Sequence, residues 1–166
     1  MKTFISSSMI VLLLLGANAV QAQTTQTKLN QIELMKNFLG NWKCVYGKDT
    51  TMILEYKSFG TAIEGVAKIV VSEKVIMEEK SLMGYDAKND KLIEAAMYNS
   101  FPNIILYSDK FISANRFEEI YLEDSSNPEK ANKKWEVEFK STDLFIETFF
   151  QNNKAVEVYT FSRIKK

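Results

Sequence analysis

The chain has 166 residues, with 21 basic and 21 acidic side chains and no histidine. The length suits one domain, and a 46% apolar, 25% charged composition excludes bulk disorder. Zero formal charge argues against a nucleic-acid binder, and the missing histidine removes Ser-His-Asp and Cys-His catalysis, His-ligated haem and the usual His-containing zinc sites.

The N-terminus reads as an export signal over residues 1–22. Met1, Lys2 and Thr3 are followed by an apolar run from Met9 to Leu15, small residues at Gly16, Ala17 and Ala19, and a small-x-small cleavage pattern at Val20-Gln21-Ala22. The apolar core is about a dozen residues, short of the roughly 20 a spanning helix needs. A cleaved signal is therefore preferred to a retained anchor, with Gln23 as the mature start. The mature domain, 23–166, is expected to be secreted or periplasmic, with no membrane span after cleavage. Cleavage takes Lys2 with it, so a net charge of −1 is expected. Cys44 is the single cysteine, so no internal disulfide can form, and it is read as a small buried hydrophobe.

Apolar residues at Leu29, Ile32, Leu34, Met35, Phe38 and Leu39 follow helical spacing, and Gly40 ends the segment. Beyond Gly40 the period changes to two. Ten strands are predicted, over 41–46, 51–58, 61–72, 75–85, 91–98, 103–108, 111–122, 134–139, 144–150 and 155–164, separated by turn-forming Gly, Asp, Asn, Ser and Pro residues. Short links between consecutive strands mean antiparallel hairpins. Closing such a meander removes its edges. The fold class expected is therefore all-β: an antiparallel up-and-down β-barrel of about 8–10 strands with one short N-terminal helix. An open cone with helices over a curved sheet is the alternative, but it needs more helices than the pattern provides. The polar stretch 123–133 reads as a solvated loop at a barrel end, with a lid over a pocket mouth as the other reading.

Phe38-Leu39-Gly40-Asn41-Trp42 sets a Gly-x-Trp at the opening of the first strand, and Arg163 lies at the end of the last. This pairing resembles the calycin superfamily, the lipocalins and their relatives. Leu82-Met83-Gly84-Tyr85-Asp86 is similar to a hairpin of a bacterial lipocalin-like domain of unknown function. The resemblance implies that Arg163 lies across Trp42 and closes one end of the barrel. A guanidinium over an indole gains roughly 0.5–2 kcal/mol.

If Trp42 faces inward, alternation turns Met52, Leu54 and Tyr56 inward, together with Met77, Met83, Trp135, Val137 and Phe139. Glu157, Tyr159 and Phe161 share the face of Arg163, while Phe145, Glu147 and Phe149 share a face of the ninth strand. The candidate ligand-binding set is Met52, Leu54, Tyr56, Met77, Met83, Trp135, Phe139, Glu147, Phe149, Glu157 and Tyr159. Its Met and aromatic content points to a small apolar or aromatic ligand, anchored by Tyr56, Glu147 or Glu157. A barrel filled by its own side chains is the competing reading. It would act through an outer apolar patch at Leu144, Ile146 and Phe150, as an interaction module of the cell envelope. A third reading has Glu147 and Glu157 as paired carboxylates of an isomerase or hydrolase. Glu78, Glu79 and Lys80 are read as a solvated face, and Asp86, Asn89 and Asp90 as a turn. No cofactor, metal or nucleic-acid partner is expected; the expected partner is a small hydrophobic molecule.

Overall fold

The computed structural model describes residues 28–165, so the signal reading at 1–22 lies outside the described residues. Helix α1 (Gln31–Met35) continues as a 3₁₀ turn (Lys36–Phe38) and leads into ten strands. These are β1 (Gly40–Val45), β2 (Thr50–Phe59), β3 (Ala62–Val71), β4 (Lys74–Asp86), β5 (Lys91–Tyr98), β6 (Phe101–Ser113), β7 (Arg116–Tyr121), β8 (Lys133–Ser141), β9 (Leu144–Gln151) and β10 (Lys154–Arg163). Every strand pairs antiparallel with its sequence neighbour, and β1 pairs with β10. The sheet is a closed up-and-down barrel with no free edge. Among the described residues no helix is long and apolar enough to cross a membrane.

Turn chemistry sets the register. Asn152 and Asn153 have φ of 52° and 59° and join β9 to β10; Ser72 and Glu73, at 47° and 67°, join β3 to β4. Two successive positive φ values match the right-handed twist of the flanking strands. One predicted break is corrected. The polar pair Asp109-Lys110 looked like a turn between two strands, but both residues lie within β6, and the chain reverses at Ala114-Asn115. Asp109 is fully buried and Lys110 exposed, so the pair simply alternates across the sheet.

One half of the barrel is filled. Phe38 enters from the N-terminal segment and meets Phe117 and Phe139, each with ring centroids 5.0 Å away, and Tyr56 at 5.5 Å. Trp42, Phe111, Phe145 and Phe161 complete this floor and are fully or almost fully buried. The Trp42 Nε1 donates to the Phe38 carbonyl at 2.7 Å. Arg163 is the Cα partner of Trp42, and its guanidinium lies 4.0 Å from the indole centroid.

The connection from β7 to β8 is neither a free loop at a barrel end nor a lid. Ile120 points outward yet is 7% exposed, and Ala131 in the loop is also buried. Ser125, Pro128 and Glu129 flank an outer groove together with Ile112, Glu118 and Ile120. The loop folds against the outer wall because Ile120 supplies an apolar seat there.

Candidate functional site

Above the aromatic floor the barrel holds a cavity of about 190 Å³. Strands β2 and β3 contribute Met52, Leu54, Tyr56 and Ala67; β4 and β5 contribute Met77, Glu79, Glu94 and Tyr98. Tyr107 comes from β6, Glu119 from β7, Trp135 and Val137 from β8, and Glu147 from β9. The lining thus holds four carboxylates and no lysine or arginine.

Alternation explains each inward carboxylate. Glu94 lies between buried Leu92 and Ala96 on β5, and Glu79 between Met77 and Ser81 on β4. Glu119 follows buried Phe117 by two residues and faces Asp109 of β6 as its Cα partner. Asp109 itself lies between buried Tyr107 and Phe111, beneath the cavity. The missed signal was present in these spacings: each acid stands two residues from large apolar neighbours. The run Glu78-Glu79-Lys80 is not one solvated face, because Glu79 lines the cavity. Only Glu78 and Lys80 face outward, with Glu78 3.5 Å from Lys68.

Burial pushes the carboxyls up. Glu94 and Glu147 are each raised from 4.5 to about 7, chiefly because burial disfavours the charged form. The Ser81 hydroxyl opposes this at Glu94, and the nearby Glu79 charge reinforces it at both. Glu119 and Asp109 are raised well above the usual carboxylate range, again by burial first and neighbouring carboxylates second. Glu79 moves the same way.

An aromatic wall faces these acids. Tyr107 stacks on Tyr121 at 5.5 Å and meets Trp135 edge-on at 5.8 Å. Trp135 in turn lies 5.0 Å from Phe149. The Tyr98 and Tyr107 hydroxyls are 3.3 Å apart. Lys133 sits 5.7 Å above the Tyr121 ring, outside the lining.

The predicted set divides in two. Met52, Leu54, Tyr56, Met77, Trp135 and Glu147 line the cavity. Met83 and Phe139 belong instead to the floor, where they are 5% and 8% exposed. Phe149 packs behind Trp135, and Tyr159 packs edge-on against Tyr46 at 5.2 Å. Glu157 is exposed and accepts from the Tyr159 hydroxyl. Glu147 is the Cα partner of Tyr159, and Glu157 that of Phe149, so these two acids do not face each other as a catalytic pair. The irregular register between Ala155 and Glu157 falls where β10 begins, and Glu157 stays at the solvated end of the strand.

The outer wall differs from expectation as well. Leu144, Ile146 and Phe150 are half-buried, whereas Leu82, Met97, Ile104 and Leu106 on β4–β6 are exposed, as are Val45, Phe59, Val156 and Val158 elsewhere on the outer wall. Cys44 is buried, and loss of water around it raises its thiol, which leaves it unactivated. No family model matches the chain, and no curated protein matches it, so the chemistry of the cavity rests on its geometry.

Proposed function

We propose that this chain is an exported, calycin-like binding protein whose barrel takes up a small organic cation: an ammonium group carried on a flat apolar body. One observation carries the reading. A cavity inside the barrel presents four carboxylates and three tyrosines beside a tryptophan, with no cationic side chain to balance them. The sequence alone favoured an apolar ligand. The buried acids give that ligand a charge, because an uncompensated carboxylate in a low-dielectric wall is costly and a bound cation offsets the cost.

Size and shape narrow the class. An apolar cavity of roughly 150 Å³ holds benzene, so about 190 Å³ accommodates one aromatic ring with a short aminoalkyl arm. Trp135, Tyr107 and Tyr56 supply flat walls for the ring, and Trp135 and Tyr98 add a quadrupole that attracts an ammonium. Glu79 and Glu147, on β4 and β9, are the anchors for the charge, since Glu94 and Glu119 lean toward Asp109 in a cluster of their own.

Titration calorimetry with phenethylamine, against 3-phenylpropanoate of matched shape, tests the reading. The amine should bind and the carboxylate should not. Glu147→Gln and Glu79→Gln should each weaken amine binding by about tenfold or more, the scale of one charge-assisted hydrogen bond. Equal binding of both probes, or no binding of the amine by folded protein, would sink it.

A further inference from the structure

We infer that Glu94, Asp109 and Glu119 form a binding site for a hard divalent cation, Ca²⁺ or Mn²⁺, set into the barrel wall below the cavity. The three residues come from adjacent strands β5, β6 and β7, and one carboxylate oxygen from each lies within 4.8 Å of the others. An ion held 2.3–2.6 Å from each oxygen, as Ca²⁺ is, bridges ligands up to about 5 Å apart.

Asp109 distinguishes this cluster from an ordinary acidic patch. It is 0% exposed, and neither of its carboxylate oxygens has a hydrogen-bond partner. Buried polar atoms are nearly always satisfied, so an orphaned carboxylate aimed at two others points to a missing positive group. No ion pair among the described residues involves any of the three acids. Lys91, the one cation whose charge is felt at Asp109, makes no ion pair with it.

The donor set selects the metal class. Three carboxylates without cysteine or histidine favour Ca²⁺, Mn²⁺ or Mg²⁺ over zinc or copper. Mg²⁺ demands oxygens at about 2.1 Å in near-ideal octahedral geometry, which suits a rigid sheet wall less well. Glu94 and Glu119 also line the cavity, so the ion has a way in, and water there can complete its coordination shell. The ion site shares Glu94 and Glu119 with the cavity lining, but it is separable from the amine reading because Asp109 is not part of that lining whereas Glu79 and Glu147, the anchors for the amine, are.

Metal-stripped protein should be titrated with CaCl₂ and, separately, with MnCl₂, using calorimetry, the Mn²⁺ paramagnetic resonance signal and thermal unfolding. The expectation is one ion per chain and a rise in unfolding temperature that equal ionic strength of NaCl does not reproduce. Asp109→Asn should weaken binding roughly tenfold or more yet leave phenethylamine binding in place; should that variant not fold, Glu119→Gln is read for loss of metal binding alone, because Glu119 also lines the cavity. Glu147→Gln should do the reverse, and Glu78→Gln on the outer wall should change neither. The inference is overturned by absence of binding at millimolar metal in folded protein, or by binding that both Asp109→Asn and Glu119→Gln leave unchanged. Metal binding without amine binding would instead defeat the organic-cation reading alone.

Discussion

At the scale of single residues, Arg163 holds the closed end of the barrel together. Its Nε donates to the Thr142 carbonyl at 2.8 Å, its Nη1 to the Leu39 carbonyl and its Nη2 to the Asn37 carbonyl at 3.4 Å. Two chain segments, the stretch 37–39 ahead of β1 and the β8–β9 turn, therefore converge on one planar group that also covers Trp42. Lysine offers a point charge without the fork and stacks less well on an indole. Arg163→Lys should lower stability by about 1–3 kcal/mol, measured by urea unfolding with unchanged slope. A wild-type midpoint would mean that the fork contributes nothing. Gly40 belongs to the same arrangement: its φ is +119°, and a Cβ there would run into the Arg163 Nη1. Any side chain at position 40 is strained twice, once by the backbone and once by the guanidinium, which is why a helix-ending glycine here also serves the barrel floor.

At the scale of elements, α1 is too short to hold itself together, since isolated helices below about 12 residues are marginal in water. Gln31 fixes it to the barrel. The Gln31 side chain is 2% exposed; its Nε2 donates to the Phe111 carbonyl at 3.0 Å and its Oε1 accepts from the Phe111 N–H at 2.8 Å. The amide thereby takes the place of a neighbouring strand beyond the end of β5, whose ladder with β6 stops at Asp109, while Phe111 keeps Phe117 of β7 as its partner. Gln31→Ala should leave a buried N–H and C=O unpaired and destabilise by about 2–4 kcal/mol. It should also raise amide exchange at Phe111, and a fully protected Phe111 amide in the variant would refute the tie. This bond was not legible in the sequence, because Gln31 carries no periodic or motif signal and its partner is 80 residues away. The helix itself was legible from Leu29, Ile32, Leu34, Met35, Phe38 and Leu39, and the strands from their alternation. Alternation from Met77 also implies an inward Glu79, but its charge argues for the surface, and charge is the wrong guide within a barrel that has a cavity. The same error turned Asp109-Lys110 into a turn. Cavity or filled core could not be read from residue types, since both use large apolar side chains; the outcome depends on where the Phe38 plug stops.

At the scale of the whole molecule, the interior acids set the pH dependence of the empty barrel. Glu147, faced by Glu79 and Glu94, ionises near pH 7 when folded but near its ordinary 4.5 when unfolded; Glu94 behaves alike. Between those values the folded state binds more protons than the unfolded chain, so stability falls as pH rises. The stabilisation is complete below about pH 4.5 and is lost through about pH 7, amounting to roughly 3 kcal/mol for each such group. That is a large share of a typical folding free energy of about 5–15 kcal/mol. Glu79, Asp109 and Glu119 are raised in the same direction and act with the same sign, whereas the lowered carboxyls and the tyrosines fall outside this window. Asp86, Asp90 and Glu136 are lowered, chiefly by a bond to Asn89, by the Tyr85 hydroxyl and by Lys134 against the cost of burial, so their contribution disappears only below the ordinary carboxylate range. The buried tyrosines Tyr56, Tyr98 and Tyr107 are raised above 10 and matter only in alkali. The ligand-free, metal-free protein should therefore unfold at a higher temperature at pH 5 than at pH 8. Glu147→Gln should flatten the profile and raise stability at pH 8, and a bound cation should do the same without mutation, releasing protons as it binds. Proton release is read by calorimetry in buffers of different ionisation heat. A profile that rises from pH 5 to pH 8, unchanged in Glu147→Gln, would show that the acids are neutralised by some other means and that the cavity has no need of a cation.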